Sequence, residues 1–471
     1  MSDKSFYINT IGCQMNVYDS SRLAAALRQQ GYYLRADFDG ADVVIVNTCT
    51  IRAKAKQKAL SFIGRLARAK RRHPGMIIAV GGCVAQQEGR ALLDKFSQVD
   101  IVFGTHSVSR LPELIRAVQA DGSPRVDVDM SEAVIETDYP TGRSPGGISE
   151  FVTIMRGCDN YCTYCVVPYV RGRETSRHPE AILQEVRKLV STGVREVTLL
   201  GQNVNSYGNK EGLCTFPELL AMVNGVDGLQ RLRFTTSHPK DLSEELVAAF
   251  GKLDKLCNHF HLPVQSGSDA VLKRMNRRYT RDNYLKKLAR LRAVRPDMAI
   301  TTDLIVGFPG ESQADFEATL RLLDEVRFDN IFAFIYSDRS LAPAAGFSGK
   351  ISETEKKRRL AMLLERQAEI SASKNRTLEG TTEAVLVEGP SKRAGGPFHG
   401  ADGADTQWSG RTTSNKVVNF RPAEERLKMP SIQPGRLVQV KIDHGYAHSL
   451  SGRVVPVDDN TDPTRGQINA A

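Results

Sequence analysis

The chain has 471 residues, of which 41% are apolar and 25% charged, a balance that excludes a disordered chain or a fibre. Lys and Arg total 64 against 54 Asp and Glu, a net charge of +10 that favours a polyanionic partner, with nucleic acid the first candidate. No apolar run approaches the ~20 residues of a membrane helix, and MSDKSFYINT lacks the apolar core of a secretory signal, so the expectation is a cytoplasmic protein without a membrane partner. Length alone suggests about three domains. Eight cysteines in a cytosolic chain point to metal or catalytic use rather than disulfides.

Residues 1–122 alternate short apolar runs with helical stretches. FYINT (6–10), ADVVIVNTC (41–49), MIIAVGGC (76–83) and VDIVFG (99–104) are strand candidates, which implies a parallel α/β sheet. Cys13, Cys49 and Cys83 each follow one of the first three strands. Ligands of parallel sheets bind at the carboxyl ends of strands, so these cysteines can converge despite their distance in sequence. Buried structural cysteines are the bland alternative. Three at equivalent topological positions favour a metal or cluster site, and three thiolates would leave an iron–sulfur cluster with one open iron. Between Ile51 and Gly75 lie nine basic residues and no acid: Arg52, Lys54, Lys56, Lys58, Arg65, Arg68, Lys70, Arg71 and Arg72. This reads as a basic-surfaced helix.

A Pro-, Gly- and acid-rich stretch, 123–147, reads as a linker. FVTIMRGCDNYCTYC (151–165) follows, with Cys158, Cys162 and Cys165 spaced C-x3-C-x2-C and Tyr164 before the last. Three thiolates can hold three irons of a 4Fe–4S cluster and leave the fourth open. A structural zinc site closes with four ligands, and the nearest downstream histidine, His178, has no companion at finger spacing. Strand-like runs recur at 195–200, 231–236, 258–264, 298–308 and 330–336, separated by helical segments such as 178–193 and 281–294. With FVTIM these make a partial (β/α)6 barrel over 148–376. Gln202-Asn203, Ser237-His238 and Gln265-Ser266 follow strands, at the face where barrel sites collect. His238, His259 and His261 read as hydrogen-bonded packing residues, and Cys214 and Cys257 as structural.

A helix over 353–376 leaves the barrel. TEAVLVEG, TSNKVVNF, RLVQVKIDHG and 447–457 then alternate apolar and polar residues, which suggests a small antiparallel β-barrel of about five strands over 377–457. Its strands carry Arg411, Lys416, Arg421, Arg436 and Lys441, and basic small barrels often bind nucleic acid. The Gly-rich 393–408 reads as a loop and 458–471 as a disordered tail.

The motif around Cys158, Cys162, Tyr164 and Cys165 resembles the radical S-adenosylmethionine (SAM) superfamily, and GRTTSNKVVNF (410–420) resembles a TRAM domain, a small RNA-binding barrel. Over about residues 4–456 the chain is similar to the methylthiotransferases. GCQMNVYDS (12–20), NTCTIRAKAKQKALSFIGRL (47–66), RGCDNYCTYCVVPYVRGRETSR (156–177) and HLPVQSGSDAVLKRMNR (261–277) resemble the branch acting on dimethylallyladenosine in tRNA. The ribosomal-protein branch has Pro-Lys-Asn, and the threonylcarbamoyl-adenosine branch Lys-Val-Asn, where this chain has Gln14-Met15-Asn16. YSDRSLAP (336–343) departs from the family's Arg-x-Gly-Thr, with Leu341 where a Thr is usual.

The resemblance implies two 4Fe–4S clusters and SAM as cofactors. Cys158, Cys162 and Cys165 would hold the cluster that cleaves SAM to a deoxyadenosyl radical. Cys13, Cys49 and Cys83 would hold an auxiliary cluster carrying the sulfur to be methylated and transferred. Tyr164, Gln202, Asn203, Ser237 and Gln265 are candidates to hold SAM. Arg68, Lys70, Arg71, Arg411 and Lys416 are candidates for tRNA phosphates. The expected substrate is tRNA with isopentenylated adenosine 37, served by a protein reductant, and the expected state is a monomer. A methylthiotransferase for threonylcarbamoyl-adenosine tRNA or a ribosomal protein is the nearest alternative. A non-catalytic iron–sulfur RNA-binding regulator is the remote one.

Overall fold

A computed structural model describes residues 4–50, 53–130, 147–391, 407–422 and 432–456. Arg52, most of the expected linker, nearly all of the Gly-rich loop and the C-terminal tail lie outside the described residues.

The first unit is a six-stranded, wholly parallel sheet: β1 (Ser5–Ile11), β2 (Tyr33–Leu34), β3 (Val43–Thr48), β4 (Ile77–Gly82), β5 (Ile101–Phe103) and β6 (Arg125–Asp127), in the order β2-β1-β3-β4-β5-β6. Every residue of β3 and β4 is buried, as a parallel strand covered on both faces requires. Alternate residues serve two cores. Val43, Ile45, Ile77 and Phe103 pack with Leu23, Leu27 and Ile115 on one face. Val44, Val46, Ile78 and Val80 pack with Ile63 and Leu66 of helix Ala53–Arg72 on the other. The strand order turns back between β1 and β3, and such a reversal opens a crevice at the carboxyl ends. Two strands were not expected. β2 has two residues, and β6 draws the start of the stretch read as a linker into the sheet.

The second unit has the six expected parallel strands: β7 (Ser149–Thr153), β10 (Glu196–Leu200), β11 (Arg231–Phe234), β12 (His259–His261), β13 (Ala299–Val306) and β14 (Asn330–Ile335). They hydrogen-bond as two three-stranded sheets, β7-β10-β11 and β12-β13-β14. A parallel bridge joins them, with Leu232 N donating to Lys255 O (2.7 Å) and Cys257 N to Leu232 O (3.0 Å). One core, including Val152, Phe234, Phe260 and Ile331, spans both sheets. FVTIM does not run through as one strand. A separate antiparallel ribbon pairs β8 (Met155–Arg156) with β9 (Thr175–Ser176) and ties together the two ends of the cysteine loop.

Helix Glu353–Arg376, capped by Ser352, leads to β15 (Thr382–Pro390), β16 (Trp408–Arg411), β17 (Val417–Arg421), β18 (Leu437–Gly445) and β19 (Leu450–Val454). These close as β15-β16-β17-β19-β18. The pairing departs from the all-antiparallel expectation at one place, where β17 and β19 run parallel. A closed ring of five strands cannot alternate direction at every step, so a parallel pair is forced. Val385, Val387, Val418, Phe420, Val440 and Leu450 fill the interior.

Candidate active site

Cys13, Cys49 and Cys83 stand immediately beyond β1, β3 and β4. Cys13 caps helix Gln14–Gln29, and Asn16 reaches back: its Oδ1 lies 3.2 Å from the Cys13 N and 3.4 Å from the Sγ. The Asn16 Nδ2 donates to Asn47 Oδ1 (2.9 Å) and Thr48 O (3.0 Å), and Asn47 Nδ2 donates to Asn16 O (2.9 Å). Thr48 Oγ1 donates to Gly81 O (2.6 Å) and accepts from Val84 N (3.2 Å). This buried lattice fixes the three strand ends relative to one another. There is no room for added side chains: a Cβ on Gly12 would lie 2.8 Å from Cys49 Cβ, and one on Gly82, at φ +88°, 2.3 Å from Thr48 O. Cys49 and the Arg171 guanidinium help bring the Cys13 thiol down to about 6, against the effect of burial. Burial pushes Cys83 up, although Arg171 again lies beside it.

The second cysteine loop begins at Gly157, whose φ is +77° and whose Cβ would fall 1.9 Å from Arg173 O. Each sulfur has an N–H donor beside it. Asn160 Nδ2 lies 3.5 Å from Cys158 Sγ, Arg277 Nη1 3.4 Å from Cys162 Sγ, and Val167 N 3.4 Å from Cys165 Sγ. Arg277 is 3% exposed and also donates to Tyr164 OH (3.3 Å), Pro263 O (2.6 Å) and Tyr279 OH (2.8 Å). Burial pushes the Cys158 thiol up to about 11 and Cys165 to about 12. Coordination to a metal would override this by displacing the thiol proton.

The two triads are linked across the units. Arg171, buried and paired to Asp19 at 3.1 Å, belongs to the second unit yet faces Cys13 and Cys83 of the first. Arg339 is influenced by both Cys49 and Cys165. Its loop is the departing YSDRSLAP segment, and Ser340 Oγ there accepts from Gln87 Nε2 of the first unit at 2.9 Å. Arg171, Asp19, Asn16 and Arg277 are site residues to which sequence reasoning assigned no role, although all stand within or beside the quoted motifs.

Several cofactor candidates end in buried polar atoms without a protein partner: Gln202 Nε2, Asn203 Oδ1 and Ser237 Oγ, with His238 Nε2 beside them. Their other atoms are held. Gln202 Oε1 accepts from Gly157 N (2.5 Å), and Asn203 Nδ2 donates to Asp241 (2.7 Å) and Ser206 (2.9 Å). Orphaned polar atoms at strand ends suit a polar small molecule that completes them. His238 is neutral, its pKa held near about 2 by burial and the Arg277 charge. Gln265 adopts φ +75° and links main chains with Asp303 and Ile305. Tyr164 packs against the cluster of Val271, Met275 and Phe308. His259 and His261 both share Thr301 Oγ1 within the sheet, consistent with packing roles. Cys257 is buried beside Arg233, at the opposite strand end.

Both triads fit a cluster by donor chemistry: free thiols in threes, glycine-cleared backbone and N–H donors at sulfur. Among the described residues no three His, Cys, Asp or Glu side chains are gathered to hold a single ion. A cubane binds its thiolates at separate corners and needs a wider arrangement than one tetrahedral ion.

Helix Ala53–Arg72 exposes Lys54, Lys58, Arg65, Arg68, Arg71 and Arg72. Lys70 turns inward instead, donating to Asp100 (2.6 Å) and to Met76 O. Lys416 is likewise internal, bound to Asp329 (3.1 Å) and Asn375 Oδ1 (2.8 Å). Arg411 pairs with Glu388 at 2.8 Å. Lys70 and Lys416 are therefore poorly placed to meet a phosphate.

Residues 5–104 match the model described as Uncharacterized protein family UPF0004, 152–323 the Radical SAM superfamily and 376–455 the TRAM domain. The tRNA-2-methylthio-N(6)-dimethylallyladenosine synthase of Desulfosudis oleivorans is 61% identical over 456 residues, 97% of each chain. The chain belongs to this synthase family. The synthase of Geobacter sulfurreducens is 48% identical over 455 residues, covering 96% of this chain and 98% of its own. Among solved structures, the radical S-adenosylmethionine methyltransferase TsrM from Kitasatospora setae, with cobalamin and a [4Fe-4S] cluster, shares the fold with a TM-score of 0.54. It is 15% identical and covers 73% of this chain and 74% of its own. The cobalamin-dependent radical enzyme OxsB gives 0.51 at 13% identity, over 78% of this chain and 58% of its own. The UPF0004, radical-SAM and TRAM regions follow one another along this chain.

Proposed function

We propose that the chain transfers a methylthio group to carbon 2 of N(6)-isopentenyladenosine at position 37 of tRNA, by a SAM-derived radical route. One observation carries this reading: two three-cysteine sites, on separate α/β units, meet, with Arg171 of the second unit reaching Cys13 and Cys83 of the first and Arg339 lying beside Cys49 and Cys165. Cys158, Cys162 and Cys165 hold one 4Fe–4S cluster and Cys13, Cys49 and Cys83 the other. When bound, these clusters supply reductive SAM cleavage at one site and the sulfur to be transferred at the other. An aromatic C–H offers neither an acidic proton nor a leaving group, so the protein's task is to orient substrate and exclude water around radical chemistry.

Gln202, Asn203 and Ser237 bind SAM through the polar atoms left unpaired, with Gln265 and Tyr164 as further contacts. Arg171 and Arg339 offset negative charge between the two sites, and the Asp19 pair holds Arg171 in place. Arg65, Arg68 and Arg71 of the basic helix meet tRNA phosphates, together with the C-terminal barrel. The working form is a cytoplasmic monomer that receives electrons from a protein reductant. Its functional units are 1–122 with β6 (Arg125–Asp127) added, 148–376 and 377–457.

The test is nucleoside mass spectrometry after anaerobic incubation of reconstituted protein with SAM, reductant and isopentenylated tRNA. Gain of one methylthio group on the modified adenosine is expected. 5′-Deoxyadenosine without that gain would move the substrate to threonylcarbamoyl adenosine or a ribosomal protein. Neither product, with both clusters intact, would overturn the enzyme reading in favour of an RNA-binding regulator.

A further inference from the structure

The second cysteine loop carries a feature that neither cluster holding nor SAM binding uses. Tyr161, between Cys158 and Cys162, is 40% exposed, and Tyr169 beyond Cys165 is 37% exposed. Their rings meet edge to face, with centroids 6.1 Å apart and planes at 82°. The two rings together present a partly exposed aromatic surface beside a buried polar site. The backbone beneath them is also strained. Tyr161 has φ +47°, uncommon for an aromatic residue, and Asn276 and Arg278 in the adjoining turn have φ +58° and +57°. Asn276 holds the two turns together, its Nδ2 donating to Tyr161 O (3.1 Å) and Asn160 O (3.3 Å). Thr163 N donates to Met275 O (3.1 Å) and Thr163 Oγ1 to Arg274 O (2.9 Å). Strain maintained by this many bonds, at a mouth, marks a surface shaped for contact.

The rim is cationic. Lys273, Arg274 and Arg278 are exposed on the adjoining turn. Among the described residues Lys273 and Arg278 form no ion pair, and Arg274 lies over the Phe347 ring at 5.5 Å with Nη2 3.5 Å from Ser348 O. The nearby Asp159 is neutralised by Arg173 at 2.7 Å. Exposed rings flanked by uncompensated positive charge match the chemistry of single-stranded nucleic acid, whose bases stack while its phosphates pair.

We propose that Tyr161 and Tyr169 form a stacking platform for unpaired bases flanking the target adenosine in the RNA loop, with Lys273, Arg274 and Arg278 holding the backbone. This rests on the tRNA reading above. The platform sets the register of the loop, so that the base entering the site is the one next to the stacked neighbour.

The test is binding of an isopentenylated anticodon stem-loop RNA, with 2-aminopurine at a loop position beside the adenosine, to holoprotein. Tyr161→Ala and Tyr169→Ala should each weaken binding about 5- to 160-fold, the range of one lost base stack, and should relieve 2-aminopurine quenching. The Tyr→Phe variants should bind as the parent does. Tyr161→Asn, which tolerates the positive φ, should lose as much as Tyr161→Ala, and this separates ring loss from backbone damage. Iron content and RNA-independent 5′-deoxyadenosine formation should stay at parental levels in all of them. Unchanged RNA affinity in the alanine variants would overturn the proposal. So would slowed turnover with a protein reductant but not with dithionite, which would assign the surface to the electron donor. Because the readout is binding, a parent that binds RNA through these rings but adds no methylthio group would sink the activity reading alone.

Discussion

At the scale of single residues, Arg277 is the most informative. Its Nη1 lies 3.4 Å from Cys162 Sγ, inside a fully buried setting. Donors at sulfur stabilise the reduced, more negative form of a cluster. Arg277→Met should therefore make the midpoint potential of that cluster about 60 to 130 mV more negative, taking a charged hydrogen bond at roughly 1.5–3 kcal/mol. An EPR-monitored redox titration measures this, and an unmoved potential would leave Arg277 a packing residue. Glu174 offers a pH test. Burial raises its pKa from the ordinary 4.5 to about 7, so the folded chain binds more protons than the unfolded one between those values. Stability should fall as pH rises through that window, and Glu174→Gln should flatten the fall in denaturant titrations at pH 5 and pH 8. The cysteines were legible because their spacing is local. Arg277 was not, since a side chain acting on a residue 115 positions away leaves no local pattern. Lys70 and Lys416 show the converse: sequence counts charge, but it does not say that each reaches inward to an aspartate.

At the scale of elements, the basic helix divides its charge by face. Lys54, Lys58, Arg65, Arg68 and Arg72 recur at helical spacing on the open side, while Lys70 clamps Asp100. Reversing charge at Arg65, Arg68 and Arg71 should weaken tRNA binding and lower the salt slope by about 2 to 3, at roughly 0.7–0.9 per phosphate contact. A slope equal to the parent's would remove the helix from the RNA interface. Lys70→Met should instead cost about 1–2 kcal/mol of stability by leaving Asp100 unpaired, with tRNA binding unaffected in the folded protein; thermal melting and anisotropy separate the two. The long strands were readable from apolar runs. Strands β2, β6, β8 and β9 have two or three residues each, too few to carry a period, and exist because a longer neighbour or a loop base supplies their partner.

At the scale of the whole molecule, the order of three units was readable but their attachment was not. The C-terminal barrel is held by two arginines at the start of β11. Arg231 donates to Arg411 O (2.6 Å) and Ala384 O (2.8 Å), and Arg233 to Thr413 O (2.8 Å) and Thr412 O (2.7 Å), while Glu196 balances Arg233 at 2.9 Å. Arg233→Ala should strand Glu196 and two carbonyls and loosen the barrel by about 2–4 kcal/mol. Limited proteolysis between the long helix and β15 should then accelerate, and a parental cleavage rate would refute the clamp. These bonds end on main-chain oxygens, which every residue type supplies. Apart from Lys416, which is bound to Asp329, side chains of the barrel can therefore drift over generations without unseating it, whereas Arg231 and Arg233 cannot. RNA preference is free to evolve on one side of that joint while the catalytic body stays as it is, and saturation mutagenesis should find tolerance and intolerance divided along that line.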